Sequence, residues 1–352
     1  MKRTVFNILL LFVISVNAQE YKVFHKSICY DLLSNFVNYE ELIAHPFFEN
    51  SLAKDTAFIS DVKLINEKVR PSNICNFYAS LPTDKDDIKA CLTFFSSVQR
   101  HNIPDKWEGK YVDNIFSVLP QICTTIEKLI NANYQKYWEK HVLPKLTQAI
   151  QDFEFEEGIL DKIHNELILM AGNSQLSDEY SKIYILNIDN AFSLNDETFC
   201  CTYLLLDNQL SKKYRIDFIQ VYIHENLHRL YLSKDLMKNL EDLFEKDVFY
   251  KTKESIARKH GEGLNEAFIV ALECYVSRKL TLKSDKDVYD EFKEYVEGSL
   301  VLAPVIYKNL FQKSENETLD NFLLTLFKKK KIKAGKVEKQ YNSAMEWILK
   351  AN

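Results

Sequence analysis

Apolar residues recur at helical spacing through most of the chain between Tyr21 and Phe153. The stretches "ICYDLLSNFVNYEELIAH", "DDIKACLTFFSSVQRH", "NIFSVLPQICTTIEKLINANYQKYWEKHV" and "LPKLTQAIQDF" carry that pattern. Pro120 and Pro144 each break or restart a helix, and "ASLPTD" and "HNIPDKW" supply turns. From about 154 to 216 the period shortens. "KIYILNID" and "TFCCTYLLLD" read as two adjacent strands between polar turns such as "NSQLSDEYS", "FSLNDE" and "NQLSKK". A helix is expected next, starting near Arg215–Ile216 with Asp217 as its cap and running through "FIQVYIHENLHRLYLS". Phe218, Val221, Tyr222, Ile223, Leu227 and Leu230 surround it with apolar groups, so it is largely buried.

Downstream, "KDLMKNLEDLFEKDVFYKTKESIARKH" forms one or two amphipathic helices, interrupted at Gly261 and Gly263. "LNEAFIVALECYVSRKL" follows as a second buried helix, and the remainder is helical again. The pattern predicts an α+β protein, mostly helical, with a small sheet leading into a buried helix. Its regions are an amino-terminal segment 1–18, a helical region 19–153 and a mixed region 154–352.

Residues 1–18 read as a signal peptide. Lys2 and Arg3 precede the apolar run "VFNILLLFVISV", and Val16 and Ala18 occupy cleavage-site positions. A secreted or periplasmic protein is therefore expected, with no membrane span in its mature chain. Loss of Lys2 and Arg3 moves the formal net charge from -5 to -7, which gives no support to nucleic-acid binding. The basic run at 328–336 reads as a solvated helix end or loop. Export permits disulfides among the seven cysteines, most readily among Cys29, Cys75, Cys91 and Cys123, while Cys200, Cys201 and Cys274 read as buried thiols.

The chemistry concentrates in "VYIHENLHRL". On a helix, His224 and His228 lie one turn apart on the same face, so both imidazoles can bind one tetrahedral zinc. Glu225 is turned about 100° from His224 and reaches a water beside the metal as general base. Both histidines and the glutamate stand among Val, Tyr, Ile and Leu, where an unpaired charge is costly.

A third ligand is expected from "HGEGLNEAFIVALE". Glu266, at the start of a buried helix, is the first candidate, with Glu262 and His260 as alternatives. Glu273, seven residues beyond Glu266, either accepts the second ring N–H of His224 or His228 or pairs with Arg229 or Arg278. Asn265 is expected to cap the helix, with orientation of a substrate backbone as the alternative. Tyr289, Tyr295 and Tyr307 are candidate oxyanion donors, and Tyr307 is preferred because Gly298 and Pro304 imply a shaped backbone nearby.

His-Glu-x-x-His followed by Asn-Glu-Ala-Phe and a further Glu resembles the gluzincin group of zinc metallopeptidases over roughly residues 180–280. The resemblance implies a zincin-like fold, Zn2+ held by His224, His228 and Glu266, Glu225 as catalytic base and a peptide or protein as substrate. Glu266 follows His228 by 38 positions, a longer gap than in the best-known gluzincins. The third histidine of the metzincin pattern is absent, and Tyr231 stands in its glycine position. An alternative expectation is an inactive or non-peptidase module of this shape that binds a protein or glycan partner.

Overall fold

The computed structural model describes residues 24–79, 86–103, 110–152, 159–172, 182–188, 191–194, 198–205, 212–228, 230, 232–260 and 262–350. The amino-terminal segment 1–18 and Gly261, Arg229 and Tyr231 lie outside the described residues. Helices dominate, with a single four-stranded sheet among the described residues. No described helix is long and apolar enough to cross a membrane.

The sheet consists of β1 (Phe24–His25), β2 (Lys182–Leu186), β3 (Ala191–Leu194) and β4 (Thr198–Thr202), in the order β1-β2-β4-β3. β2 and β4, the two strands expected from their Ile-, Tyr- and Thr-rich runs, pair in parallel with Ile183 opposite Phe199 and Ile185 opposite Cys201. β3 runs antiparallel to β4 and takes up residues of "FSLNDE", which the sequence pattern assigns to a turn. A helix, Ile159–Ala171, also forms where the pattern predicts loss of helical period; Ile163, Leu167 and Met170 are buried at its spacing.

β1 comes from the amino-terminal region and pairs in parallel with β2, so the sheet spans the expected boundary at 153/154. Asp31 reinforces that junction. It lies on the helix Ile28–Ser34, capped by the Ser27 hydroxyl, and is completely buried. Its Oδ2 accepts from Trp138 Nε1 at 2.6 Å and its Oδ1 accepts from the Asn187 amide at 2.7 Å. Trp138 opens a π-helical turn, Trp138–Val142. One carboxylate thus links three segments distant in sequence.

Burial pushes the Asp31 pKa up to about 7, against the two N–H donors that lower it. Because the folded-state value exceeds the ordinary value of 3.8, the folded protein holds this proton more tightly than the unfolded chain. The associated stability is complete below about pH 4 and is lost as pH rises towards 7. Chemical denaturation between pH 4 and 8 should show that fall in the wild type relative to Asp31→Asn, which has no proton to lose. Parallel pH profiles for the two proteins would refute this assignment.

No disulfide joins any of the seven cysteines, which corrects the expected amino-terminal bridges. Cys29, Cys75 and Cys91 are packed in the core as small apolar groups, and the Cys75 sulfur is 3.5 Å from the Ser34 hydroxyl. Pro120 occupies a first-turn position of Leu119–Asn131, where a missing amide hydrogen costs nothing, whereas Pro144 follows directly on the π-helical turn Trp138–Val142 within a continuous helical run.

Two buried helices carry the motif residues. The histidine helix, Lys212–Leu227, begins three residues before the expected start, so Asp217 lies within it rather than capping it. The glutamate helix, Glu266–Lys279, is buried without interruption from Glu266 to Cys274. These helices pack together, and the amphipathic pair Lys234–Lys246 and Val248–Lys259 fills the connection between them. Asp247 separates that pair by capping the second helix through the Tyr250 amide.

Candidate metal centre

The histidine helix ends at Leu227, but the His228 amide still donates to the His224 carbonyl at 3.3 Å. That bond keeps His228 in helical register with His224. Their Nε2 atoms approach to 3.1 Å, with the ring centroids 4.9 Å apart. Glu266 Oε1 is 3.4 Å from His224 Nε2, and Glu266 Oε2 is 3.8 Å from His228 Nε2. The ligand atoms of His224, His228 and Glu266 all lie within 4.8 Å of one another, and this group can hold a metal ion.

Tetrahedral zinc with ligands about 2.0–2.2 Å away separates those ligand atoms by about 3.3–3.6 Å. The three observed separations of 3.1, 3.4 and 3.8 Å bracket that interval. Two imidazole nitrogens and one carboxylate also form a suitable zinc donor set. The 38-position gap before Glu266 is spanned by the amphipathic helix pair, which brings the glutamate helix back against the histidines.

Glu273 resolves between its two expected roles. Its Oε2 accepts from His224 Nδ1 at 3.1 Å, leaving the Nε2 lone pair directed at the cluster. Arg278 instead makes two hydrogen bonds to Asp285, at 2.8 and 3.0 Å. The other Glu273 oxygen, Oε1, accepts from Lys283 Nζ at 2.8 Å. Lys283 is only 5% exposed, and nothing in the polar turn "TLKSDK" marks it as buried.

The electrostatics follow from this packing. Burial opposes charge on His224, but the Glu273 hydrogen bond and the Glu273, Glu266 and Glu225 charges outweigh it and raise the pKa to about 8. His228 drops to about 4 through burial and the neighbouring His224 charge. Burial raises Glu266 to about 7. Glu225 is half-buried, one position past His224, and its charge acts on both His224 and Glu266.

The remaining third-ligand candidates have other places. His260 Nε2 pairs with Glu297 Oε1 at 2.8 Å, on the exposed side. Glu262 is half-exposed near enough for His224 and His260 to lower its pKa, although burial dominates and raises it. Asn265 occupies the cap position of the glutamate helix without a side-chain capping bond.

Tyr307 requires a correction. It is buried against the rings of Phe292, Phe311 and Trp347, and its hydroxyl has no hydrogen-bond partner. The charged and polar groups around it include Cys274, Tyr275 and Arg278, which belong to the far half of the glutamate helix. Along that helix, Cys274 stands about 12 Å from Glu266 at 1.5 Å per residue. The structure does not bring Tyr307 to the cluster. Tyr295 reaches it instead, its hydroxyl donating to Glu266 Oε1 at 3.3 Å.

Backbone shape explains that choice. Val296, Glu297 and Gly298 are left-handed in succession, at φ 49°, 58° and 61°. Such conformations cost about 1–2 kcal/mol per non-glycine residue, and Val296 is β-branched. A Cβ at Gly298 would approach the Lys293 carbonyl oxygen to 2.6 Å. This reversal turns the chain immediately after Tyr295. A cavity of about 660 Å³ is lined in part by Gln220, Lys283, Glu291, Glu294 and Tyr295, and His224, Glu225, His228 and Glu266 are not among its lining residues. Gln220 precedes His224 by one helical turn, and Tyr295 and Lys283 bond to Glu266 and Glu273 respectively. Comparison with protein families, characterised proteins and solved structures gives no match to this chain.

Proposed function

We propose that the protein is a zinc-dependent peptidase of gluzincin-like design, acting on a peptide or protein outside the cytoplasm. The convergence of His224, His228 and Glu266 to within 4.8 Å, beside Glu225, carries this reading. His224 Nε2, His228 Nε2 and the Glu266 carboxylate would hold the zinc. When bound, zinc supplies Lewis-acid activation of water and of the scissile carbonyl.

Glu225 takes a proton from the attacking water and returns it to the leaving nitrogen. Tyr295, on the cavity wall, supplies a hydroxyl donor towards charge developing on the carbonyl oxygen. Glu273 keeps the proton of His224 on Nδ1.

Elemental analysis of the purified full chain should find about one zinc per molecule. Cleavage of an unbiased peptide library should disappear on chelation and return with added zinc. A zinc-loaded chain that leaves the whole library intact would defeat the peptidase reading.

A further inference from the structure

Lys283 lies ten residues after Glu273, beyond the end of the glutamate helix, yet its ammonium group returns to that carboxylate. The intervening turn is constructed for this return. Thr281 adopts a left-handed conformation at φ 59°, unusual for a β-branched residue. The Leu282 and Lys283 amides both donate to the Ser277 carbonyl, at 2.8 and 3.3 Å. The Arg278–Asp285 pair fastens the outside of the turn, and the Ser284–Asp287 capping box starts the next helix, Asp285–Glu294. From that helix Glu291 approaches Lys283 Nζ to 3.4 Å.

We propose that Lys283 is a positioning residue for the metal centre, acting through Glu273 on His224. This rests on the zinc reading of the cluster. Lys283 holds Oε1 of a carboxylate whose Oε2 holds His224 Nδ1, so the ammonium fixes the rotation of Glu273 and thereby the aim of the imidazole. Glu273 is 6% exposed and needs a counter-charge at this depth. Lys283 supplies it; Glu291 is half-exposed and like-charged, so it cannot substitute. Lys283 itself touches neither the histidines nor Glu266 among the described contacts; its effect travels through one carboxylate.

The test is zinc affinity of the full chain, measured by competition with a chromophoric chelator using zinc alone. Lys283→Met should weaken binding on the order of 10–100-fold, with apo-protein helicity unchanged by circular dichroism. In a Glu273→Gln background the same change should alter affinity by no more than about twofold, because the intermediary is already gone. If Lys283→Met fails to fold, Lys283→Gln, which keeps a donor but lacks the charge, carries the same comparison.

Unchanged affinity in the folded single variant would overturn the proposal. So would an equal loss in the Glu273→Gln background, since Lys283 would then act through general packing. Wild-type protein that binds no zinc would instead defeat the underlying metal reading, a separate result.

Discussion

Glu225→Gln is expected to abolish most peptide hydrolysis while leaving one zinc per chain. Loss of a general base costs about 10²–10⁴ in rate. The amide is nearly isosteric with the carboxylate but cannot accept the proton from water. Glu225 adjoins His224 in sequence without belonging to the three-residue ligand group, so its replacement leaves all three ligands in place. Neutralising it also removes a charge that helps raise the pKa values of His224 and Glu266. Zinc competition in the variant should therefore be equal to wild type or easier to saturate at neutral pH.

Two measurements make the result interpretable: elemental analysis before assay, and turnover on a peptide cleaved by the wild type. Activity within about tenfold of wild type would remove Glu225 from the role of base. Activity lost together with zinc would make it part of the binding apparatus instead.

The site was partly legible from residue order because its first two members obey helical geometry. His224 and His228 need only one turn of helix to meet, and the sequence supplies that turn. Glu266 lay farther away, but a carboxylate opening the apolar run "AFIVALE" demands a partner, and that demand survives an intervening pair of helices. Glu273 followed by helical spacing, although its choice between histidine and arginine depended on Asp285 already occupying Arg278.

Sequence reading does not single out Lys283, and it offers Tyr295 only as one of three candidate donors, because both positions depend on left-handed backbone. Thr281 in one turn and Val296–Gly298 in the other are conformations that side-chain periodicity does not encode. The sequence preference for Tyr307 fails because helical period alone cannot distinguish a packed ring from one directed into a site. The strand β3 was hidden for a related reason. Its four residues run into "NDE", so polar turn composition outweighed a short apolar alternation. The sheet's amino-terminal strand is shorter still, at two residues, and Asp31 supplements it with a buried bridge to Asn187.

On the proposed zinc reading, Glu266→Gln should remove the stabilisation that bound zinc would confer. The structure places this carboxylate at 2% exposure, where burial raises its pKa to about 7. A neutral glutamine therefore sits there with little penalty, and the apo variant should unfold at about the wild-type temperature. The holo proteins should differ sharply. Zinc requires the ionised carboxylate and neutral imidazoles, so binding expels protons that His224 and Glu266 hold around neutral pH. A ligand bound only to the folded state stabilises by about 4.1 kcal/mol at a thousand times its dissociation constant. Glu266→Gln has two nitrogens and a weak amide oxygen, and it should show little of that gain at the same free zinc concentration. Thermal unfolding with and without zinc, at fixed pH and protein concentration, measures both halves of the expectation. An undiminished zinc-induced shift would exclude Glu266 as a ligand, whereas a variant already destabilised without zinc would assign it a structural role in the buried helix start.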